Sequence, residues 1–323
     1  MKITGMGSYL PPNLVTSEVL DVCFGFASGL VLGQCSVVQR HYVTADESQI
    51  TMGAAAARRA LTQAGVAVAD IDLVIGASAV PYQPIPATAP AYMRALGFAE
   101  GAAFGFDVNS TCLSFLSALD VADGFLQAGR YARILIIASE VASRALPWPD
   151  KPQIAGLFGD GAAAVVVEAG GAPIVSRFKT YPSILESCGI GAGGTRFDFR
   201  AEPEAFAAHS LFDMDGKALF RLTSQHFVPF VELLLKDAGW DIQDVDLVVP
   251  HQASPLALTH MIRQCGFDPD KVVDVSRTVG NQIAASIPFA LAYAAPQAGR
   301  GRRDLMLGTS AGVSFGGAAV RLS

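Results

Sequence analysis

The strongest constraint on the fold is an internal repeat. Residues 64–75 read AGVAVADIDLVI, and residues 238–249 read AGWDIQDVDLVV, 174 positions later. Six of the twelve positions are identical, and three more exchange Val for Ile. Each copy reads as a helix end with glycine just beyond it, a short link and a buried strand. The segments before them, 50–63 and 224–237, carry helical periodicity. The unit helix–turn–strand therefore occurs twice. At the same offset, 106–119 (FDVNSTCLSFLSAL) lands on 280–293 (GNQIAASIPFALAY), which sets Cys112 on Ser286 and Phe115 on Phe289. Both read as a small-residue turn opening an apolar helix. Strands at 134–139 and 304–308 follow.

Strands alternating with helices and apolar runs imply an α/β fold with buried sheets. The junction falls near 168–175 (AGGAPIV), giving halves of 1–170 and 171–323. Composition agrees with a large buried core: 51% of residues are hydrophobic and 16% charged, against roughly 25% charged in ordinary soluble chains. There are 32 glycines, and the net charge is −6. An acidic balance without Lys/Arg runs argues against a nucleic-acid binder. No apolar run approaches the roughly 18 residues of a membrane span, and the first twelve residues lack the apolar stretch of a signal peptide. The five cysteines, 23, 35, 112, 188 and 265, are odd in number and form no CxxC pair, which argues against a disulfide framework or zinc site. A reducing cytoplasm, no metal and no tightly bound cofactor are the expectations.

Three residues stand out chemically. Cys112 follows a strand-like run and small polar residues, at or near a helix N-terminus, where the dipole would lower a thiol pKa. The same placement also fits a buried, inert cysteine; the other four cysteines read as packing residues. His251 ends the second-copy strand in DLVVPHQASP, where α/β folds put site residues, although a satisfied core histidine fits too. Asn281 lies in TVGNQIAASIPFAL before a helix, and a capping role is open to it. The stretch 308–317 (GTSAGVSFGG) would let backbone N–H groups approach a ligand. A thiol, an imidazole, an amide and a glycine-rich loop together fit acyl transfer through a thioester. The glycines at 189, 191 and 194 satisfy G-x-G-x-x-G, but TRFDFRAEPEAF follows instead of a helix, so no phosphate cradle is expected.

These motifs are similar, end to end, to the β-ketoacyl-acyl-carrier-protein synthase III family of the thiolase superfamily. The matching pieces are GMGSYLPPNLVTSE at the start, QRH at 39–41, DVNSTC around Cys112, FGDGAAAVV from Phe158, MDGKALF at 214–220, HQAS from His251 to Ser254, GNQIAASIP at 280–288, and SAGVSFGGAAV. The resemblance implies a thiolase-like, five-layered αβαβα fold of duplicated halves and a homodimer. It implies that Cys112 carries the acyl group, and that His251 and Asn281 bind the carbonyl of a malonyl-type thioester as CO2 leaves. The backbone N–H groups of Cys112 and Gly312 would form the oxyanion hole. Substrates would arrive on coenzyme A or an acyl-carrier protein.

Several positions depart from that pattern. Leu30 stands where an adenine-stacking aromatic is usual, and Gln34 where an arginine is. Lys151 keeps a basic position at the coenzyme mouth, and Phe158 and Ser254 fall in motifs that border the substrate. An arginine used in carrier docking is replaced around Leu256. Ile85 replaces a bulkier phenylalanine that reaches across the dimer to shape the acyl pocket. These changes imply a carrier-protein donor, longer or bulkier acyl groups, and a specialised role in secondary metabolism. Two alternatives stay open: transfer of the acyl group to oxygen, nitrogen or a non-decarboxylated carbon, and a catalytically silent partner subunit.

Overall fold

Both copies of the repeat fold into the same device. In the computed structural model, which describes residues 1–295 and 301–322, the helix Gln49–Ala64 ends at Gly65 with φ +66°, and the helix Gly216–Ala238 ends at Gly239 with φ +65°. This left-handed cap satisfies carbonyls of the last turn, which glycine does without a Cβ penalty. A 3₁₀ turn follows in each copy, Val68–Asp70 and Ile242–Asp244. Asp70 closes the first by accepting the Ala67 N–H at 3.0 Å, and Asp244 closes the second by accepting that of Asp241 at 2.9 Å. The second repeated aspartate has a different task. Asp72 accepts the N–H groups of Ala132 and Arg133, at 2.8 and 2.9 Å, and Asp246 accepts that of Arg303 at 2.8 Å. Each therefore pins the start of the parallel strand beside its own.

The repeat strands Leu73–Gly76 and Leu247–Pro250 enter two different sheets. The first sheet runs Lys2–Tyr9, Gly161–Glu168, Arg133–Glu140, Leu73–Gly76 and Phe104–Asp107. The second runs Leu247–Pro250, Arg303–Ser310, Ser314–Arg321 and Val175–Thr180. Strand alternation aims successive side chains at opposite faces. Val74, Leu135, Ile137 and Val166 meet Met52, Ala56, Ala60 and Tyr92 of the outer helices Gln49–Ala64 and Ala89–Leu96. Their neighbours Leu73, Ile75, Ile136 and Val165 face inward. There the helices Ser114–Gln127 and Ser286–Ala294 fill the space between the sheets with Phe115, Leu116, Leu119, Ile287 and Leu291. Val249 and Met306 of the second sheet close that same cluster. Leu305, Leu307 and Phe315 point outward to Phe230, Val231 and Leu234 on the helix Gly216–Ala238. The order is helix, sheet, helices, sheet, helix: the five-layered αβαβα fold.

The small residues sit where layers touch. A Cβ on Gly5 would lie 2.1 Å from the Ala60 carbonyl oxygen, and one on Gly7 would lie 2.2 Å from that of Ala56. The first strand and its covering helix meet backbone to backbone.

Three expectations need correction. The helix expected at 224–237 begins at Gly216, because the Asp215 side chain caps the N–H groups of Lys217 and Ala218. Cys112 does not correspond to Ser286. Thr111 and Ile283 share φ +51°, and Ser114 and Ser286 each accept a backbone N–H from four residues earlier, Ser110 and Gln282. The offset here is therefore 172, which matches Cys112 to Ala284; the second half spans the same path with two fewer residues. Finally, Cys23 is exposed rather than packed, and only Cys35 among the other four is fully buried.

The pinning aspartates carry a prediction. Asp72→Asn keeps the size but loses an anionic acceptor of two amides, and should lower unfolding free energy by about 1.5–3 kcal/mol. Denaturant titration of the variant against wild type measures it.

Candidate active site

Cys112 lies in the turn between the strand Phe104–Asp107 and the helix Ser114–Gln127, two residues before the helix begins. The turn is built by short polar side chains. Asn109 accepts the Thr111 N–H at 2.9 Å, and the Ser114 hydroxyl donates to the Thr111 carbonyl at 2.7 Å. The Thr111 hydroxyl also reaches the Ala311 carbonyl at 3.3 Å, joining this turn to the loop that holds Gly312. Gly312 has φ +106°, a conformation that side chains rarely adopt.

Placement near a helix N-terminus does not lower the thiol pKa. Burial pushes it up to about 12, and proximity to Cys188 and Glu140 adds to the rise, while the backbone amides of Ala311 and Cys112 itself pull the other way. Excluding water from the thiolate outweighs a dipole that acts only through the first turn.

His251 follows the strand Leu247–Pro250 and is 5% exposed. Its N–H donates to the Leu307 carbonyl at 2.7 Å, and its carbonyl accepts from Ala253. The ring Nδ1 is buried without a hydrogen-bond partner. Burial alone depresses the imidazole pKa to about 4, so the ring is neutral at physiological pH. Gly308 separates the two halves of the site. A Cβ there would lie 2.9 Å from Leu113, next to Cys112, and 3.0 Å from His251 Cβ.

Asn281 is 7% exposed. Its Nδ2 donates to the Ala253 carbonyl at 3.2 Å, bringing the amide beside the His251 loop, and its Oδ1 accepts the Ile283 N–H at 2.8 Å. The Asn281 backbone bonds the segment Leu157–Gly159 from both sides, at 2.8 and 3.1 Å. Phe158 is thereby held in the site wall, with Phe212 against it at 4.9 Å.

The structure therefore brings Cys112, His251, Asn281, Phe158 and the Gly312 loop together. The remaining expected substrate residues stand apart. The Ser254 hydroxyl caps the helix Pro255–Cys265, accepting the Ala257 N–H at 3.1 Å. Leu30 is half-buried in a cluster with Phe24, Phe26 and Trp148, of which Phe24 and Trp148 stack at 4.7 Å; Gln34 is exposed. Lys151 pairs with Asp213 at 2.5 Å at the surface. Ile85 is 87% exposed and free of this chain's core.

Sequence reasoning missed Glu140, the last residue of RILIIASE. Burial raises its carboxyl to about 8, against the pull of amides from Ala79, Val80 and Ala284. A carboxylate at the end of a strand whose middle, 134–138, is apolar was the available signal. Among the described residues, no group of three or more His, Cys, Asp or Glu could hold a metal, and no helix is long and apolar enough to cross a membrane.

Comparison with known proteins agrees with this geometry. Family models for 3-oxoacyl-[acyl-carrier-protein] synthase III match residues 106–181, and those for its C-terminal part match 235–322. The β-ketoacyl-[acyl-carrier-protein] synthase III of Agrobacterium fabrum is 33% identical over 321 residues, covering 99% of this chain and 98% of the relative. The crystal structure of 3-oxoacyl-[acyl-carrier-protein] synthase III from Aquifex aeolicus superposes with a TM-score of 0.87 at 29% identity, covering 99% of both chains. The priming β-ketosynthase of the R1128 polyketide pathway superposes at 0.90 with 28% identity, covering 99% of this chain and 96% of the other. The protein belongs to the 3-oxoacyl-[acyl-carrier-protein] synthase III family, condensing acyltransferases of the thiolase superfamily.

Proposed function

We propose that this enzyme catalyses a decarboxylative Claisen condensation on a Cys112-bound acyl group. The observation that carries this reading is a neutral, buried His251 two residues from Ala253, whose N–H the His251 backbone carbonyl accepts and whose own carbonyl accepts the Asn281 amide. Losing CO2 from a malonyl-type thioester places negative charge on the thioester oxygen. Neutral donors stabilise that enolate without protonating its carbon, and a water-poor site strengthens them.

In the first step the Cys112 sulfur bonds to the carbonyl carbon of the incoming thioester. The carrier thiol leaves with the proton that Cys112 gave up, and the N–H groups of Cys112 and Gly312 hold the transient oxyanion. In the second step the malonyl C–C bond breaks and CO2 departs. The resulting carbanion attacks the acyl-Cys112 carbonyl, the carbon–sulfur bond to Cys112 breaks as the β-ketoacyl product forms, and the departing thiolate takes up a proton from solvent to restore the thiol. The half spanning 1–170 supplies the nucleophile, and the half spanning 171–323 supplies the donors and the Gly312 loop.

Donor chemistry follows from the mouth of the site. With Leu30 and Gln34 in place of stacking and charge, and Lys151 paired with Asp213, little remains to grip a nucleotide. An acyl-carrier protein is therefore the proposed donor, and a specialised relative with a wider acyl pocket the proposed role. The edge strand Phe104–Asp107, with Phe104 60% exposed, and the bare Ile85 support a homodimer in which a second copy covers both.

Three outcomes test this. Cys112→Ala should abolish the acyl adduct seen by intact-protein mass spectrometry, whereas His251→Ala and Asn281→Ala should keep it. Each of the latter two should lower CO2 release about 100- to 1,000-fold. The reverse pattern would exchange the roles. Complete absence of an adduct in wild type with every donor would favour a silent subunit, and an acyl product without CO2 would favour transfer to another nucleophile. Acetyl-CoA proving the best primer would overturn the specialised role.

The pH dependence has a defined sign. A thiol raised to about 12 has less thiolate at every pH below that than a free cysteine. The acylation rate should climb through pH 9 without levelling. A plateau near pH 7 would contradict a buried neutral thiol. His251 charges only as pH falls toward 4, so it should add no acid limb between pH 6 and 8.

A further inference from the structure

The turn that carries Cys112 has a twin on the other side of the site, and the proposed chemistry uses only one of the two asparagines. Asn281 accepts the Ile283 N–H at 2.8 Å and donates to the Ala253 carbonyl at 3.2 Å. Asn109 accepts the Thr111 N–H and donates to the Ala79 carbonyl, both at 2.9 Å. Ala79 and Ala253 follow the two repeat strands at the 174-residue offset. Thr111 and Ile283 both stand at φ +51°, a strained setting for a β-branched residue. Within the nucleophile turn, Thr111 therefore needs a partner that rewards this conformation.

We propose that Asn109 is a positioning residue for catalysis: its amide clamps Thr111 in the left-handed conformation and so fixes the Cys112 N–H in the oxyanion position. The inference rests on the reading of Cys112 as acyl acceptor. Thr111 is one residue from the nucleophile, and its backbone setting decides where the Cys112 amide points. Its carbonyl accepts the Ser114 hydroxyl at 2.7 Å, while its own hydroxyl donates to the Ser110 carbonyl at 2.8 Å, closer than the Ala311 carbonyl at 3.3 Å. The Ala79 end of the clamp is itself fixed, because the Glu140 carboxyl accepts the Ala79 N–H at 2.5 Å. A run of contacts thus leads from a buried carboxyl through Ala79 and Asn109 to the residue beside the thiol.

The test compares Asn109→Ala, Asn109→Asp, Thr111→Gly and the double variant Asn109→Ala/Thr111→Gly with wild type. One readout is Cys112 acylation by acetyl-, hexanoyl- and decanoyl-loaded acyl-carrier protein and coenzyme A. The other is alkylation by iodoacetamide, which needs the thiol but no oxyanion hole. Asn109→Ala should slow acylation roughly tenfold at saturating donor, with half-saturation unchanged and alkylation within about threefold of wild type. Asn109→Asp, which keeps the acceptor for Thr111, should fall between. Glycine adopts φ +51° without support, so the double variant should recover most of the lost acylation. An Asn109→Ala enzyme that acylates at the wild-type rate overturns the proposal. So does a double variant no faster than Asn109→Ala. Wild type that is alkylated yet acylated by none of these donors instead removes the reading of Cys112 on which the proposal stands.

Discussion

Two turns, each driven through a β-branched residue at φ +51°, set the positions of Cys112 and Asn281. One turns the chain into the helix Ser114–Gln127 and presents Cys112; the other turns it into Ser286–Ala294 and presents Asn281. These helices are the middle layer, packed on both faces by sheets. Close-packed interiors do not deform continuously. The turns therefore inherit their separation from Phe115, Leu116, Ile287 and Leu291, while the His251 backbone is tied to the second sheet by its bond to Leu307.

Exclusion of water is the largest cause in the electrostatics of the site. It raises Cys112 and Glu140 and depresses His251, so all three favour their uncharged forms. The core tolerates few charges elsewhere. Arg40 is fully buried, with its guanidinium bonded to the Gly156 and Val37 carbonyls and the Ser17 hydroxyl rather than to a carboxylate. Most ion pairs, such as Arg196–Glu186 and Lys151–Asp213, are at the surface, where each adds about 0–1 kcal/mol. A chain with 16% charged residues is consistent with this arrangement.

Legibility followed the range of the interactions. The repeat was readable because its glycine cap, 3₁₀ turn and pinning aspartates act over a few residues. Cys112, His251 and Asn281 were readable from their places at strand and helix ends. The 172-residue register of the second turn was not, because two residues are lost in the path between strand and turn, and only the backbone shows where. Asn109 was hidden for the same reason: at the wrong register it faces no asparagine.

The sequence by itself determined the repeated α/β pattern, the candidate nucleophile Cys112 with His251 and Asn281 as its candidate partners, and the family resemblance. Periodicity, caps and short motifs are local properties, and a chain writes them directly. The tertiary structure alone decided the protonation of the site. Helix position argued for a low thiol pKa, yet burial of the sulfur reversed the sign, since desolvation depends on every atom that surrounds it. It likewise decided that Lys151 pairs with Asp213, because those partners, 62 residues apart, meet only after the chain has folded.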